Sequence, residues 1–254
     1  MNYNEILELV KSTKNIIYNR DNFDVNLKGS LDFVTNIDIA VSDYLKLELK
    51  KVTPEIDFFC EEEKGSLSDE CWILDPIDGT TNLVYDYRMS AVSLAHYKNG
   101  EILFGVVYNP FWDEMFSAIK GKGAWYNGVQ KISVSKREMK DALVEFGINC
   151  AHKEKADKNF KIAKEVFENC VDIRRVSSAA LDLCYISIGR LDGYFEAVLK
   201  PWDIAAGSLI LTEAGGIITD YDGNAVEFSA PTSVIAGNLN VHSKLKEIVN
   251  KYQN

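Results

Sequence analysis

The stretch Trp72-Ile73-Leu74-Asp75-Pro76-Ile77-Asp78-Gly79-Thr80-Thr81-Asn82 decides how this chain folds. Its apolar start reads as a buried strand that delivers Asp75 to its end. Pro76 has no amide hydrogen with which to extend a sheet ladder, so the chain turns there. Asp78 follows closely enough for its carboxylate to converge with that of Asp75. Gly79 permits an unusual backbone angle. Thr80 and Thr81 then offer hydroxyls and amides at a helix N-terminus, where unpaired amides and a positive dipole favour phosphate. Carboxylates held together repel, and a divalent cation is the common remedy; magnesium prefers oxygen ligands. The bland alternative for the same string is a strand-turn-helix junction with surface acids and a cap.

Three other acidic segments lie far away in sequence. Cys60-Glu61-Glu62-Glu63 follows an apolar run, Lys200-Pro201-Trp202-Asp203 places Asp203 in the first turn of a helix, and Asp32-Phe33-Val34-Thr35-Asn36-Ile37-Asp38 precedes another helix. Taken singly, each reads more simply as an acidic loop or a helix cap.

Working outward, the spacing of apolar residues predicts helices over 3–19 and from near Asp38 to Val52, and strands over 56–60 and 71–74. Asn99-Gly100 sits between strands at 89–97 and 101–108 and marks a hairpin. A meander continues through 115–119, 123–126 and 129–134. The second half alternates strands at 142–148, 172–176, 193–199, 217–219 and 233–236 with helices at 153–169, 179–188, 201–214 and the C-terminus. This is an α+β pattern, a mixed sheet region with flanking helices followed by an α/β half. We divide it into an N-terminal half, 1–135, and a C-terminal half, 136–254. Gly121-Lys122-Gly123 opens like a dinucleotide fingerprint, but the third glycine is missing and the context is a hairpin, so it reads as a turn.

The 254 residues are 46% hydrophobic and 26% charged, enough for a sizeable core. No apolar run reaches the ~20 residues of a membrane helix, and the N-terminus reads as an amphipathic helix rather than a signal peptide. The expected location is therefore cytoplasmic, with no membrane partner. Five cysteines at irregular spacing, without a C-x-x-C pair, point to reduced thiols rather than a disulfide or zinc framework. His96, His152 and His242 read as structural or surface residues rather than ligands. A net charge of -10 argues against nucleic acid as a partner. It also repels phosphate, unless a divalent cation stands between carboxylates and substrate.

Taken together, D-F-V-T-N-I-D at 32–38, E-E at 61–62, D-P-I-D-G-T-T-N at 75–82 and P-W-D-I-A-A-G at 201–207 resemble the inositol monophosphatase family, in its order and over nearly the whole chain. The resemblance implies a layered α-β-α-β-α sandwich with a larger and a smaller sheet, and a lithium-sensitive hydrolase that is often a homodimer. It implies that Glu61, Asp75, the Ile77 carbonyl, Asp78 and Asp203 hold Mg2+, two or three ions, with Glu62 beside them. Thr80 and Asp38, with Glu61, would orient the attacking water. Gly79 and Thr80 would hold phosphate, and Ser177, Ser178, Ala179 and Glu196 would meet the substrate. The expected substrate is a small phosphorylated polyol or sugar, inositol 1-phosphate first. Fructose 1,6-bisphosphate is the alternative, its second phosphate calling on Arg174, Arg175, Arg190 or Lys200, and a 3′-phosphoadenosine nucleotide is the weaker third. Outside enzymes, the alternative is a metal-stabilised binding protein. The chain departs from the family at Cys60 and Ser177, where glycine is usual, at Arg88, where proline is usual, and in the placement of Lys28. The Ser177 change bears on substrate choice.

Overall fold

A computed structural model describes residues 1–19, 24–28, 32–62 and 65–253 of the chain; Glu63 and the side chains of Lys28 and Asp32 lie outside the described residues. The elements in order are α1 (Tyr3–Ser12), α2 (Lys14–Tyr18), β1 (Val25–Lys28), β2 (Asp32–Thr35), α3 (Asn36–Val52), β3 (Asp57–Cys60), β4 (Glu70–Asp78) and α4 (Thr80–Val84). Then come β5 (Ala91–Lys98), β6 (Glu101–Asn109), β7 (Glu114–Ile119), β8 (Ala124–Tyr126), β9 (Gln130–Lys131), β10 (Leu143–Phe146), α5 (Ala156–Phe167) and β11 (Asp172–Arg174). The chain ends with α6 (Ala179–Ser187), β12 (Gly193–Leu199), α7 (Pro201–Glu213), β13 (Ile217–Thr219), β14 (Thr232–Gly237) and α8 (Leu239–Asn250).

These form five layers. The larger sheet has the order β3-β4-β5-β6-β7-β8-β9, parallel between β3 and β4 and antiparallel elsewhere. Side chains alternate across a strand, so β4 serves both faces. Trp72 and Leu74 pack with Ile6, Val10, Val41 and Leu45 from α1 and α3. Ile73 packs on the other face with Leu181, Ala205 and Ala206 from α6 and α7. The opposite sides of α6 and α7, through Leu183, Ile204 and Leu211, cover the smaller sheet at Tyr194, Val234 and Ala236. That sheet has the order β11-β10-β12-β14-β13. Its outer face buries Val144, Phe195 and Ile235 under α5 and α8. The change of sheet falls between Lys131 and Leu143.

The A-A-G run of α7 is a packing device. A Cβ on Gly105 of β6 would stand 2.8 Å from the Ala206 carbonyl oxygen, so helix and sheet touch backbone to backbone. Ser93 Oγ of β5 donates to the Trp202 carbonyl at 3.2 Å and fixes the first turn of α7 over the sheet. Asp203 is carried to the end of β4 by that contact.

Several boundaries differ from the sequence expectation. The first helix breaks at Thr13, whose hydroxyl donates back to the Val10 carbonyl at 2.6 Å. The helix expected from residue 153 opens as a 3-10 segment at Cys150, because Asn149 accepts the Ala151 amide at 2.9 Å and starts the turn early. The strand expected over 129–134 is only β9, since the Val134 amide leaves the sheet to donate to the Ala214 carbonyl. Gly121-Lys122-Gly123 is a turn, and both glycine amides donate to the Glu213 carboxylate, at 2.6 and 2.7 Å. All five cysteines are free. His96 bonds Tyr3 and Glu70, both at 2.9 Å, as a structural histidine does. Among the described residues no helix is long and apolar enough to cross a membrane.

Candidate active site

Two carboxylates three positions apart on a regular strand would face opposite ways. β4 avoids this with an irregularity: Asp75 pairs with Ser93 and Asp78 with Ala91, so the register shifts between them. Pro76 sits inside that shift, where a ladder amide is not needed. Asp75 Oδ1 accepts the Ile77 amide at 3.0 Å. Asp78 Oδ2 accepts from Ser178 Oγ at 2.7 Å and from the Ala180 amide at 2.8 Å. Gly79 has φ +88°, and a Cβ there would meet the Met89 carbonyl oxygen at 2.9 Å, so glycine is required twice over. Parallel pairing of β3 with β4 brings in Glu61, whose amide donates to the Leu74 carbonyl at 3.3 Å. Asp203 arrives as the third residue of α7, its Oδ2 accepting the Lys200 amide at 2.7 Å.

Glu61, Asp75, Asp78 and Asp203 line one open cleft of about 640 Å3. Burial holds Asp75 well above the usual carboxylate range, and the charges of Glu61, Asp78 and Asp203 add to it. Burial does the same to Asp203, with Asp78 the next cause. Asp78 is pushed up to about 6 by burial, held back by its bonds to Ser178 and Ala180. For Asp75 and Asp203 these shifts record burial together with the repulsion of neighbouring acids, and for Asp78 burial alone.

Among the described residues no three acid, histidine or cysteine side chains stand as a ready-made ligand set. The fit to a cation therefore rests on donor chemistry. The set is all oxygen, Asp75 and Asp78 are buried and Glu61 and Asp203 half-buried, and the charges that act on Asp75 are those of Glu61, Asp78, Asp203 and Asp38, all carboxylates. Hard divalent ions suit such donors. Ile77 also lines the cleft, and its carbonyl oxygen is a further candidate ligand. Thr80 Oγ1 lies 3.1 Å from that oxygen and 3.1 Å from Asp38 Oδ1. A hydroxyl has one hydrogen, so donation to Asp38 leaves Ile77 free to act as a ligand. Asp38 is itself set by Thr35, whose amide and hydroxyl both donate to Oδ2, at 2.9 and 2.5 Å. It is thus both the reciprocal cap of α3 and the partner of Thr80. Burial raises its pKa, opposed by Thr35. Glu62 is half-buried and acts on Asp38 rather than lining the cleft.

The far wall comes from the smaller sheet. Glu196 lines the cleft, with Tyr194 donating to its Oε2 at 2.6 Å; burial pushes it up to about 7. A Cβ on Gly147 would stand 1.8 Å from Glu196 Oε2, so glycine there makes room for the acid. Ser177 and Ala179 line the cleft.

Three expected substrate contacts are placed elsewhere, one of them Arg174, which is exposed outside the cleft and pairs with Asp172. Ser178 is fully buried and its hydroxyl serves Asp78, not the cleft. Arg190 lies outside the cleft, because buried Glu114 claims it at 2.6 Å and the Tyr185 and Tyr126 rings flank it at 5.1 and 5.6 Å. Arg175 and Lys200 do line the cleft.

Sequence reasoning gave Asn82 no role, although it closes the motif. Its Nδ2 donates to the Met89 and Val176 carbonyls at 2.7 and 2.8 Å, tying the two walls together. Glu145 and Asp182, buried behind the far wall, carried no signal at all: one sits in a short strand, the other in an apolar helix.

Layered sheets that gather acids beside a glycine-opened turn define the sandwich class of phosphatase folds. The sequence matches the inositol monophosphatase family over residues 4–254. It is 38% identical to the Nus factor SuhB of Pasteurella multocida over 237 residues, 92% of this chain and 87% of that one. The IMPase of Thermotoga maritima superposes with a TM-score of 0.91 at 31% identity, covering 99% of this chain and 98% of that one. An IMPase/NADP phosphatase solved with Mg2+ and phosphate gives a TM-score of 0.88 at 26% identity, covering 97% and 94%. The chain belongs to the inositol monophosphatase family.

Proposed function

We propose that this chain is a magnesium-dependent phosphomonoesterase acting on a small polyol or sugar phosphate, with inositol 1-phosphate the first candidate. The observation that carries the reading is the convergence of Glu61, Asp75, Asp78 and Asp203 on one cleft, opposite Glu196. Asp75, Asp78, Asp203, Glu61 and the Ile77 carbonyl would hold the ions, with Glu62 at their edge. Bound magnesium supplies charge neutralisation and Lewis acidity to a phosphate dianion. Thr80, with its hydrogen on Asp38, offers an oxygen lone pair to water, and Glu61 orients that water from the side. The Gly79 and Thr80 amides face the phosphate. Glu196 keeps Oε1 for a substrate hydroxyl, because Tyr194 occupies Oε2.

Arg175 and Lys200 leave room for a second phosphate, so fructose 1,6-bisphosphate stays in the comparison. Their position in the cleft supports these two, rather than Arg190, as the cations for such a second phosphate. The name Nus factor belongs to the relative; in this chain the net charge of -10 favours a metal-bridged small anion over nucleic acid. The test is phosphate release from a panel of inositol 1-phosphate, fructose 1,6-bisphosphate and a 3′-phosphoadenosine nucleotide, with and without magnesium. Magnesium-dependent release ranked with the polyol first supports the proposal. A magnesium thermal shift without turnover on any substrate assigns a binding protein instead. Light scattering tests the homodimer that the resemblance implies.

A further inference from the structure

Behind the wall formed by residues 176–180 lie two acids that the proposed chemistry does not use. Glu145 stands on β10, is fully buried, and accepts the Val176 amide through Oε1. Its Oε2 is buried and has no hydrogen-bond partner among the described residues. Asp182 stands in the first turn of α6, is equally buried, and its Oδ1 has no partner either. One loop runs between the two acids, held at one end by the Glu145 carboxylate and entering α6 at the other through a backbone bond. Val176 opens that loop on Glu145, and the Asp182 amide closes it on the Ser178 carbonyl at 2.9 Å. Between them Ser177 adopts φ +66°, a conformation disfavoured for any residue with a Cβ. The loop therefore needs holding from outside itself.

The groups facing Glu145 are few. On β11, Arg174 is exposed and pairs with Asp172. Arg175 is exposed and donates to the Ile148 carbonyl at 3.1 Å. On β12, Tyr194 lies beside Glu145 in register, but its hydroxyl is given to Glu196. From α6 comes Asp182, for which Glu145 is the leading charge, ahead of Asp78 and Glu196. Two ionised carboxylates with orphan oxygens in a dry interior are costly. One proton removes both faults, because it neutralises one group and turns it into a donor for the other.

We propose that Glu145 is a positioning residue for the substrate loop, holding Val176 through one oxygen and Asp182 through a proton on the other. The kinetic half of this inference rests on the phosphatase reading, and the stability half does not. Burial pushes Glu145 up to about 7, against an ordinary value of 4.5. The folded protein then binds the extra proton between those values. The stability it brings is complete below about pH 4.5 and is lost as pH rises to about 7.

The test uses the full chain and two variants. Glu145→Gln keeps an acceptor for Val176 and puts a permanent donor where the proton sat. Glu145→Ala removes both. The expected result is that the melting temperature of Glu145→Gln gains on wild type as pH rises from 5 to 8. With the preferred substrate of the panel, Glu145→Ala should raise KM about tenfold at pH 7 with kcat changed less, and Glu145→Gln should restore KM. Parallel melting curves for wild type and Glu145→Gln across that range would overturn the shared proton. An unchanged KM in a folded Glu145→Ala would overturn the positioning role. If no substrate turns over, the phosphatase reading fails by itself, and the melting curves still decide whether Glu145 holds the proton.

Discussion

The two walls of the cleft are made in opposite ways. The wall proposed to hold magnesium comes mostly from one string, residues 75–80, in which each residue sets the conformation of the next: an extended strand, an imino acid, a turn amide on Asp75, a left-handed glycine. The substrate wall is gathered from β10, β12 and the loop at 176–180, and it keeps its shape through contacts with remote residues, Asn82 and Glu145 among them. Local rules build the string at the centre of the first wall, to which sheet pairing and helix packing add Glu61 and Asp203, and tertiary contacts build the second. The chemistry of phosphate release should therefore be sensitive on the first wall, and substrate choice on the second.

The largest effect that could break this division is Asp78→Asn. Loss of one anionic ligand should cut turnover about 10³-fold or more on every substrate, since metal stabilisation of a transition state is worth several kcal/mol. The fold should survive, because the amide relieves a buried carboxylate that burial already pushes up to about 6. Circular dichroism checks the fold, and the magnesium-induced rise in melting temperature should vanish. Normal turnover would remove Asp78 from the cation site.

Glu196→Gln sharpens the other side. A carboxylate accepts a substrate hydroxyl better than an amide does, so KM for a polyol phosphate should rise about tenfold, while hydrolysis of an aryl phosphate changes little. The wild-type enzyme adds a pH signature. Glu196 is pushed up to about 7 by burial, so it becomes the better acceptor as pH rises through that value. KM for the polyol should fall between pH 6 and 8 in wild type and stay flat in Glu196→Gln. Equal losses on polyol and aryl substrates would place Glu196 outside the substrate wall.

The same division explains what could be read from residues alone. The strand, turn and helix at 72–84 are legible because apolar run, proline, glycine and threonine follow one another in sequence. The small residues of α7 are legible as a motif, and the physical reason is the backbone contact between Ala206 and Gly105. Asp38 was legible as a helix cap, but its bond to Thr80 spans 42 residues and no local rule predicts it. Arg190 shows the reverse failure. A cation suits a second phosphate in principle, yet Glu114 is buried and needs a counter-ion, and no spacing announces that demand. Glu145 and Asp182 are silent for a similar reason. Each looks like an ordinary acid until strand pairing and helix packing close over it.

The smallest expected effect tests whether the substrate wall is held from outside. Ser177 is exposed and sits at φ +66°, while its neighbours are fixed by Glu145, Asn82 and Asp78. Ser177→Gly removes a left-handed penalty of about 1 kcal/mol, offset in part by the larger freedom of glycine in the unfolded chain. The net gain should be a fraction of that, a rise of roughly 1–3 °C in melting temperature for a chain of this length. Because three remote residues fix the loop, KM for the polyol should stay within about twofold of wild type. A large rise in KM without loss of stability would mean that the serine itself stiffens the loop, and that the substrate wall, like the other, is set by its own local sequence.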